Sequence, residues 1–70
     1  MRYGVKQLNA IHRYVSQGKR ELTIEKGEKL FTDDSDTDKL AWLWVYSPQS
    51  RGRGFVPSSH VRWSQNTTFL

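Results

Sequence analysis

Apolar residues in this 70-residue chain recur in short runs at a spacing of two. Leu8 and Ala10, Leu22 and Ile24, and Leu43 and Val45 each form such a pair, and a spacing of two puts both members on one face of an extended strand. The pattern predicts a first strand through Leu8-Asn9-Ala10-Ile11-His12-Arg13-Tyr14, with Leu8, Ala10 and His12 on one side. Further strands are predicted at Lys29-Leu30-Phe31-Thr32, at Gly54-Phe55-Val56 and at Val61-Arg62-Trp63. Ala41-Trp42-Leu43-Trp44-Val45-Tyr46 is rich in the aromatic and branched residues that favour a pleated strand. Between them lie punctuating segments. Val15 to Arg20 is a polar loop. Lys26-Gly27-Glu28 is a turn in which glycine takes positive φ cheaply. Thr32 to Lys39 is nearly devoid of apolar side chains and self-repelling, so it is a loop in water. In Ser47 to Gly52 proline presets φ and glycine relieves sterics. Pro57 to His60 is a tight turn. No window keeps a helical i, i+3, i+4, i+7 stripe without meeting Gly or Pro.

Five or six short strands with regular turn signals point to an all-β barrel or sandwich. Its predicted core is Leu8, Ala10, Leu22, Ile24, Leu30, Leu43, Val45, Val56 and Val61. Alternation then sends Trp42, Trp44 and Tyr46 outward. Seventy residues make one domain, and a chain of that size buries a modest fraction of its surface. There is no cysteine, so neither a disulfide nor a thiolate metal site is available. The two histidines, His12 and His60, are a thin basis for any other metal site, and no cofactor is expected. No apolar run approaches the ~18 residues that cross a bilayer. The N-terminus lacks a charged-then-apolar signal, so an intracellular, cytoplasmic setting is expected.

Net charge is +4 and unevenly spread. Asp33, Asp34, Asp36 and Asp38 cluster in one loop, whereas the bases are dispersed, with local pairs at Lys19-Arg20 and Arg51-Arg53. Catalysis finds no support: the chain has no Gly-rich phosphate loop, no Ser-His-Asp arrangement and no cofactor motif. Asp33 to Asp38 also lacks the glycine and terminal glutamate of a calcium loop. The chain is therefore expected not to be an enzyme.

Four blocks carry a family resemblance. They are Ala10-Ile11-His12-Arg13-Tyr14, then Glu21-Leu22-Thr23-Ile24-Glu25-Lys26-Gly27-Glu28, then Trp42, then Gly54-Phe55-Val56-Pro57-Ser58-Ser59-His60-Val61. In order and spacing they resemble the Src homology 3 (SH3) family. That family's blocks read Ala-Leu-Tyr-Asp-Tyr, Glu-Leu-Ser-Phe-x-x-Gly-Glu, Trp-Trp and Gly-Tyr-Ile-Pro-Ser-Asn-Tyr-Val. The resemblance implies a small five-stranded SH3-like barrel over residues 8–63, with a long first loop and a short 3-10 turn before the last strand. Residues 1–7 are then a tail or lead-in strand, and 64–70 a C-terminal tail.

The same resemblance implies a groove for proline-rich peptides. Trp42 takes the position of one groove wall, with Tyr14, Phe55 and Pro57 as its neighbours. His12 and His60 stand where the family has the first and last groove tyrosines, so the two histidines are expected side by side. Imidazoles are smaller and more polar than phenol rings and charge near neutral pH. Ser59 replaces the family's asparagine. Glu21 is the one acid kept in the first loop, where the family usually carries several, and Lys19 and Arg20 oppose it. The acidic loop of Asp33, Asp34, Asp36 and Asp38 forms the opposite wall, and the two loops together would select charge on the ligand.

The leading reading is a non-catalytic protein-interaction module that binds proline-rich segments through an atypical aromatic groove. It would act as a monomer within a larger signalling or scaffold protein. A second reading is an SH3-like domain that docks on a folded partner, or on its own parent chain, without recognising a proline motif. A third is a small nucleic-acid-binding barrel using Lys19, Arg20, Arg51 and Arg53 with aromatic stacking. The acidic loop beside Trp42 argues against the third, because it repels phosphates at the aromatic platform.

Overall fold

The period-two runs fold as antiparallel strands in a computed structural model that describes residues 6–33 and 39–63. Five strands are present: β1 (Lys6–Ala10), β2 (Lys29–Thr32), β3 (Trp42–Ser47), β4 (Gly52–Pro57) and β5 (Val61–Trp63). A 3-10 turn, Ser58–His60, separates β4 from β5. The strands form one sheet in the order β4-β3-β2-β1-β5. Leu8 faces Leu30 across β1 and β2, and Ala10 faces Val61 across β1 and β5. Leu43 faces Val56 across β3 and β4. The inward residues Leu8, Ala10, Ile24, Leu30, Leu43, Val45, Val56 and Val61 make one buried cluster. Each fully buried aliphatic side chain of this kind contributes about 1.5–3 kcal/mol. Leu22, expected in the core, is only partly buried against it.

The first strand is shorter than the sequence pattern suggested. It ends at Ala10, and His12 is exposed rather than on the core side. The cause is a change of hydrogen-bond partner. The Gly27 amide donates to the Ala10 carbonyl, whereas the Ile11 and His12 amides both donate to the His60 carbonyl, at 2.8 and 3.4 Å. The chain therefore bends at residues 11–12 and pairs again only at Tyr14, through an isolated bridge to Ile24. The long first loop lies between Tyr14 and Ile24.

Two turns show which residues bear the unusual backbone angles. Gly27 has φ of 89°, in the left-handed region that glycine enters without penalty. In the turn between β3 and β4 the positive φ, 60°, falls on Arg51 rather than on the glycine that follows it. That turn is tied below by a buried pair: the Ser47 hydroxyl donates to the Glu28 carboxylate. The other carboxylate oxygen of Glu28 accepts the Glu25 amide at 2.8 Å. Glu28 is 5% exposed and Ser47 fully buried. A buried carboxylate survives because both oxygens are hydrogen-bonded.

Pro57 closes β4 as its last residue, on a strand at one end of the sheet order. Proline there costs no interior ladder bond. The next amide, Ser58, donates to the Ala41 carbonyl at 2.9 Å and ties the 3-10 turn to the entry of β3.

Candidate functional site

The outward face of the β3–β4 hairpin is built by ladder register. Trp42 stands opposite Pro57, Trp44 opposite Phe55, and Tyr46 opposite Arg53. Because alternate residues share a face, all six project on the side away from the core. Trp42 and Trp44 are 43% and 40% exposed.

Tyr14 reaches this face through its reciprocal backbone bonds with Ile24, at 3.0 and 2.9 Å. Its ring meets Trp42 edge-on, with centroids 5.9 Å apart. On its other side it meets His60 at 5.4 Å, and His60 meets His12 at 5.6 Å. The result is a row of four rings, His12, His60, Tyr14 and Trp42, with Pro57 beside the last. Successive rings cross at 73–85°, the edge-to-face arrangement that a ring quadrupole favours. The expected adjacency of the two histidines is thus present, and both lie at the end of the row away from Trp42. The Nδ1 atom of His60 is buried and has no hydrogen-bond partner among the described residues. The ring edges of His12 and Tyr14 flank that imidazole.

Phe55 is placed one rung further along. Its ring packs against Trp44, with centroids at 4.9 Å. The aromatic surface therefore continues past the group that the sequence resemblance assembles. Ser59 is exposed on the 3-10 turn beside His60.

The first loop is held to this face by Glu21. Its carboxylate accepts the Tyr14 hydroxyl at 2.5 Å and the Gln17 amide at 2.8 Å. The Tyr14 bond, and then the Gln17 amide, hold Glu21 below the ordinary carboxylate range. The same bond, with desolvation and the Glu21 charge, raises the Tyr14 phenol. The loop also docks on β4: Phe55 donates to the Arg20 carbonyl at 2.7 Å, and Leu22 donates to the Phe55 carbonyl at 3.0 Å. Gly54 permits this approach. A β-carbon there would lie 2.9 Å from the Arg20 carbonyl oxygen.

Lys19 and Arg20 are exposed on the loop that Glu21 anchors. Asp33 is exposed at the end of β2. Asp34, Asp36 and Asp38 lie outside the described residues. Among the described residues, no group of three or more His, Asp or Glu side chains is placed to hold a metal ion.

Sequence reasoning missed three contacts: Tyr14 with Glu21, Trp44 with Phe55, and Glu28 with Ser47. No periodicity signals the first or the third, since the partners lie seven and nineteen residues apart with a loop or strands between them. The second needs only the β3–β4 register, which the turn from Ser47 to Gly52 sets.

Comparison with known proteins agrees with this geometry. The family model described as variant SH3 domain matches residues 9–63. The SH3 domain-containing protein Dlish of Drosophila melanogaster is 28% identical over 64 residues. That match takes in 89% of this chain but 18% of the relative, so the chain spans a small part of its relative's length. Among solved structures, the C-terminal SH3 domain of myosin IB from Entamoeba histolytica, bound to an EhFP10(GEF) peptide, superposes with a TM-score of 0.75. The superposition covers 90% of this chain and 98% of that domain at 17% identity, which speaks to the fold.

Proposed function

We propose that this chain, which belongs to the SH3 domain family, binds proline-rich segments of other proteins across the row His60, Tyr14, Trp42 and Pro57. SH3 domains are protein-interaction modules, and the Entamoeba domain was solved with a peptide bound. The observation that carries the reading is the contiguity of the rings, with Trp42 standing opposite Pro57. A flat, rigid, half-exposed aromatic surface suits a polyproline II helix, which is already ordered and loses little entropy on docking. The domain supplies no chemistry in this reading. It supplies local concentration to a larger protein.

The two histidines shape one end of the groove. They replace phenol rings and their hydroxyls with smaller imidazoles. The phenolic hydroxyl in the row, on Tyr14, is already donated to Glu21. The groove therefore offers ring faces more than phenolic donors, and affinity should be micromolar at best. Charge selection is mild. Glu21 and Asp33, with the acids Asp34, Asp36 and Asp38 that follow in the sequence, attract a cationic ligand residue, and Lys19 and Arg20 oppose it. Each exposed pair is worth only about 0.2–1 kcal/mol and is screened by salt.

An NMR titration with a mixed proline-rich peptide library tests the reading, with an oligonucleotide as a separate titrant. Shifts centred on Tyr14, Trp42 and the residues flanking Pro57 with the peptides support it. Shifts elsewhere, or with the oligonucleotide alone, reject it.

A further inference from the structure

The outward face does not end at Trp42. Two residues further along β3, Trp44 packs against Phe55, and two further again Tyr46 lies opposite Arg53. Phe31 of β2 pairs with Tyr46. A shallow cavity of about 310 Å³ opens there, lined by Phe31, Thr32, Asp33, Trp44, Tyr46 and Arg53. Phe31 also borders a second shallow depression, which Lys29 lines. The strand rise puts Tyr46 only ~13 Å from Trp42, a span covered by about four extended residues.

We infer that this cavity is a second subsite for the same ligand, taking an apolar side chain and carboxylates from an acidic segment next to the proline-rich one. The inference rests on the groove reading above, because it places the groove's ligand beside the cavity. Its floor is aromatic, and the cations around it are accessible. Arg53 is exposed, and its guanidinium lies 5.2 Å from the Tyr46 ring centroid. Lys29 is exposed two residues before Phe31 on the same face. Among the described residues, Asp33 is the one acid in the lining. A peptide can set its apolar side chain near Asp33 and its carboxylates near Arg53 and Lys29. A nucleic acid carries a charge at every phosphate and cannot avoid Asp33 in that way. An acidic segment also suits the net charge of +4.

The test uses a proline-rich decamer. It is compared with the same decamer extended at either end by a short Gly-Leu-Asp-Glu segment, and with versions carrying Lys in place of the acids. The acidic extension at one end should tighten binding by about three- to tenfold, the scale of one or two exposed ion pairs plus an apolar anchor. It should also shift the Trp44 indole and Tyr46 resonances, and the lysine version should do neither. Lys29→Glu with Arg53→Glu should abolish the gain and leave the decamer's own affinity unchanged. No gain from either extension, or a gain that survives the double variant, overturns the inference. Shifts at Trp44 and Tyr46 caused by oligothymidylate and not by the acidic peptides also overturn it. If the decamer itself fails to bind, the groove reading has failed separately. The Gly-Leu-Asp-Glu peptide alone at millimolar concentration then decides. Shifts at Trp44 and Tyr46 that the double variant removes support an acidic-peptide subsite, and their absence rejects it.

Discussion

Trp42→Ala separates groove binding from stability. Trp42 is 43% exposed. A tryptophan side chain offers up to about 250 Å², so about 100 Å² remains for a ligand to cover. At about 25 cal/mol per Å² that area is worth about 2.5 kcal/mol, or roughly 70-fold in affinity. The remainder of the ring is already covered in the free domain, chiefly by the edge contact with Tyr14 and by Pro57 opposite. Loss of the Tyr14 contact costs about 0.5–1.5 kcal/mol of stability, less than the binding loss, because Trp42 lies outside the buried cluster. Titrating a proline-rich peptide by tryptophan-independent means, such as NMR or calorimetry, gives the first quantity, and urea unfolding gives the second. The reasoning is refuted if Trp42→Ala stays folded and weakens binding less than about threefold, since an anchor that leaves so much area to the ligand cannot be that quiet.

Other substitutions probe what holds the site in place. Glu28→Ala should lower stability by about 1–3 kcal/mol, because it strips a buried hydroxyl and an amide of their acceptor. Combined with Ser47→Ala it should cost less than the two single changes together, and strict additivity in urea unfolding would count against a coupled pair. Arg51→Gly should raise stability by about 0.5–1 kcal/mol, since it relieves a left-handed residue at a modest entropic cost. An unchanged urea midpoint would show that the turn carries no such strain. Glu21, lowered by the Tyr14 bond, contributes stability that is present above the ordinary carboxylate range and lost as pH falls through its lowered folded value. Tyr14, raised, contributes stability that is present below the ordinary phenol value and lost as pH rises through its raised folded value. Glu21→Gln should therefore flatten the acid limb of a stability–pH curve and Tyr14→Phe the alkaline limb, and curves parallel to the parent on those limbs would refute the linkage.

The sequence alone determined that the chain is built of short strands, and most of the core. The spacing of Leu8 and Ala10 and of Leu43 and Val45, with Ile24 from the Leu22–Ile24 pair and the lone residues Leu30, Val56 and Val61, marks the buried face. The underlying signal is local: a strand's side chains alternate whatever lies across from them. Gly27 was legible for the same reason, since a positive φ is a property of one residue. The blocks from Ala10 to Glu28 and from Gly54 to Val61 also carried the family and hence the small five-stranded barrel. The neighbourhood of His12 and His60 was implied by that resemblance, not by any period in the chain.

Tertiary structure decided what each outward residue touches. His12 left the first strand because the His60 carbonyl captured the Ile11 and His12 amides. Phe55 turned to Trp44 because the β3–β4 register put them on one rung. Glu21, legible only as a charge for a ligand, became the acceptor for Tyr14 because Gly54 lets the first loop lie on β4. Leu22, alternating correctly with Ile24, stayed only partly buried against the core. Local pattern says which face is wet, but the partner on that face depends on register and loop closure over many residues, and only the folded chain settles those.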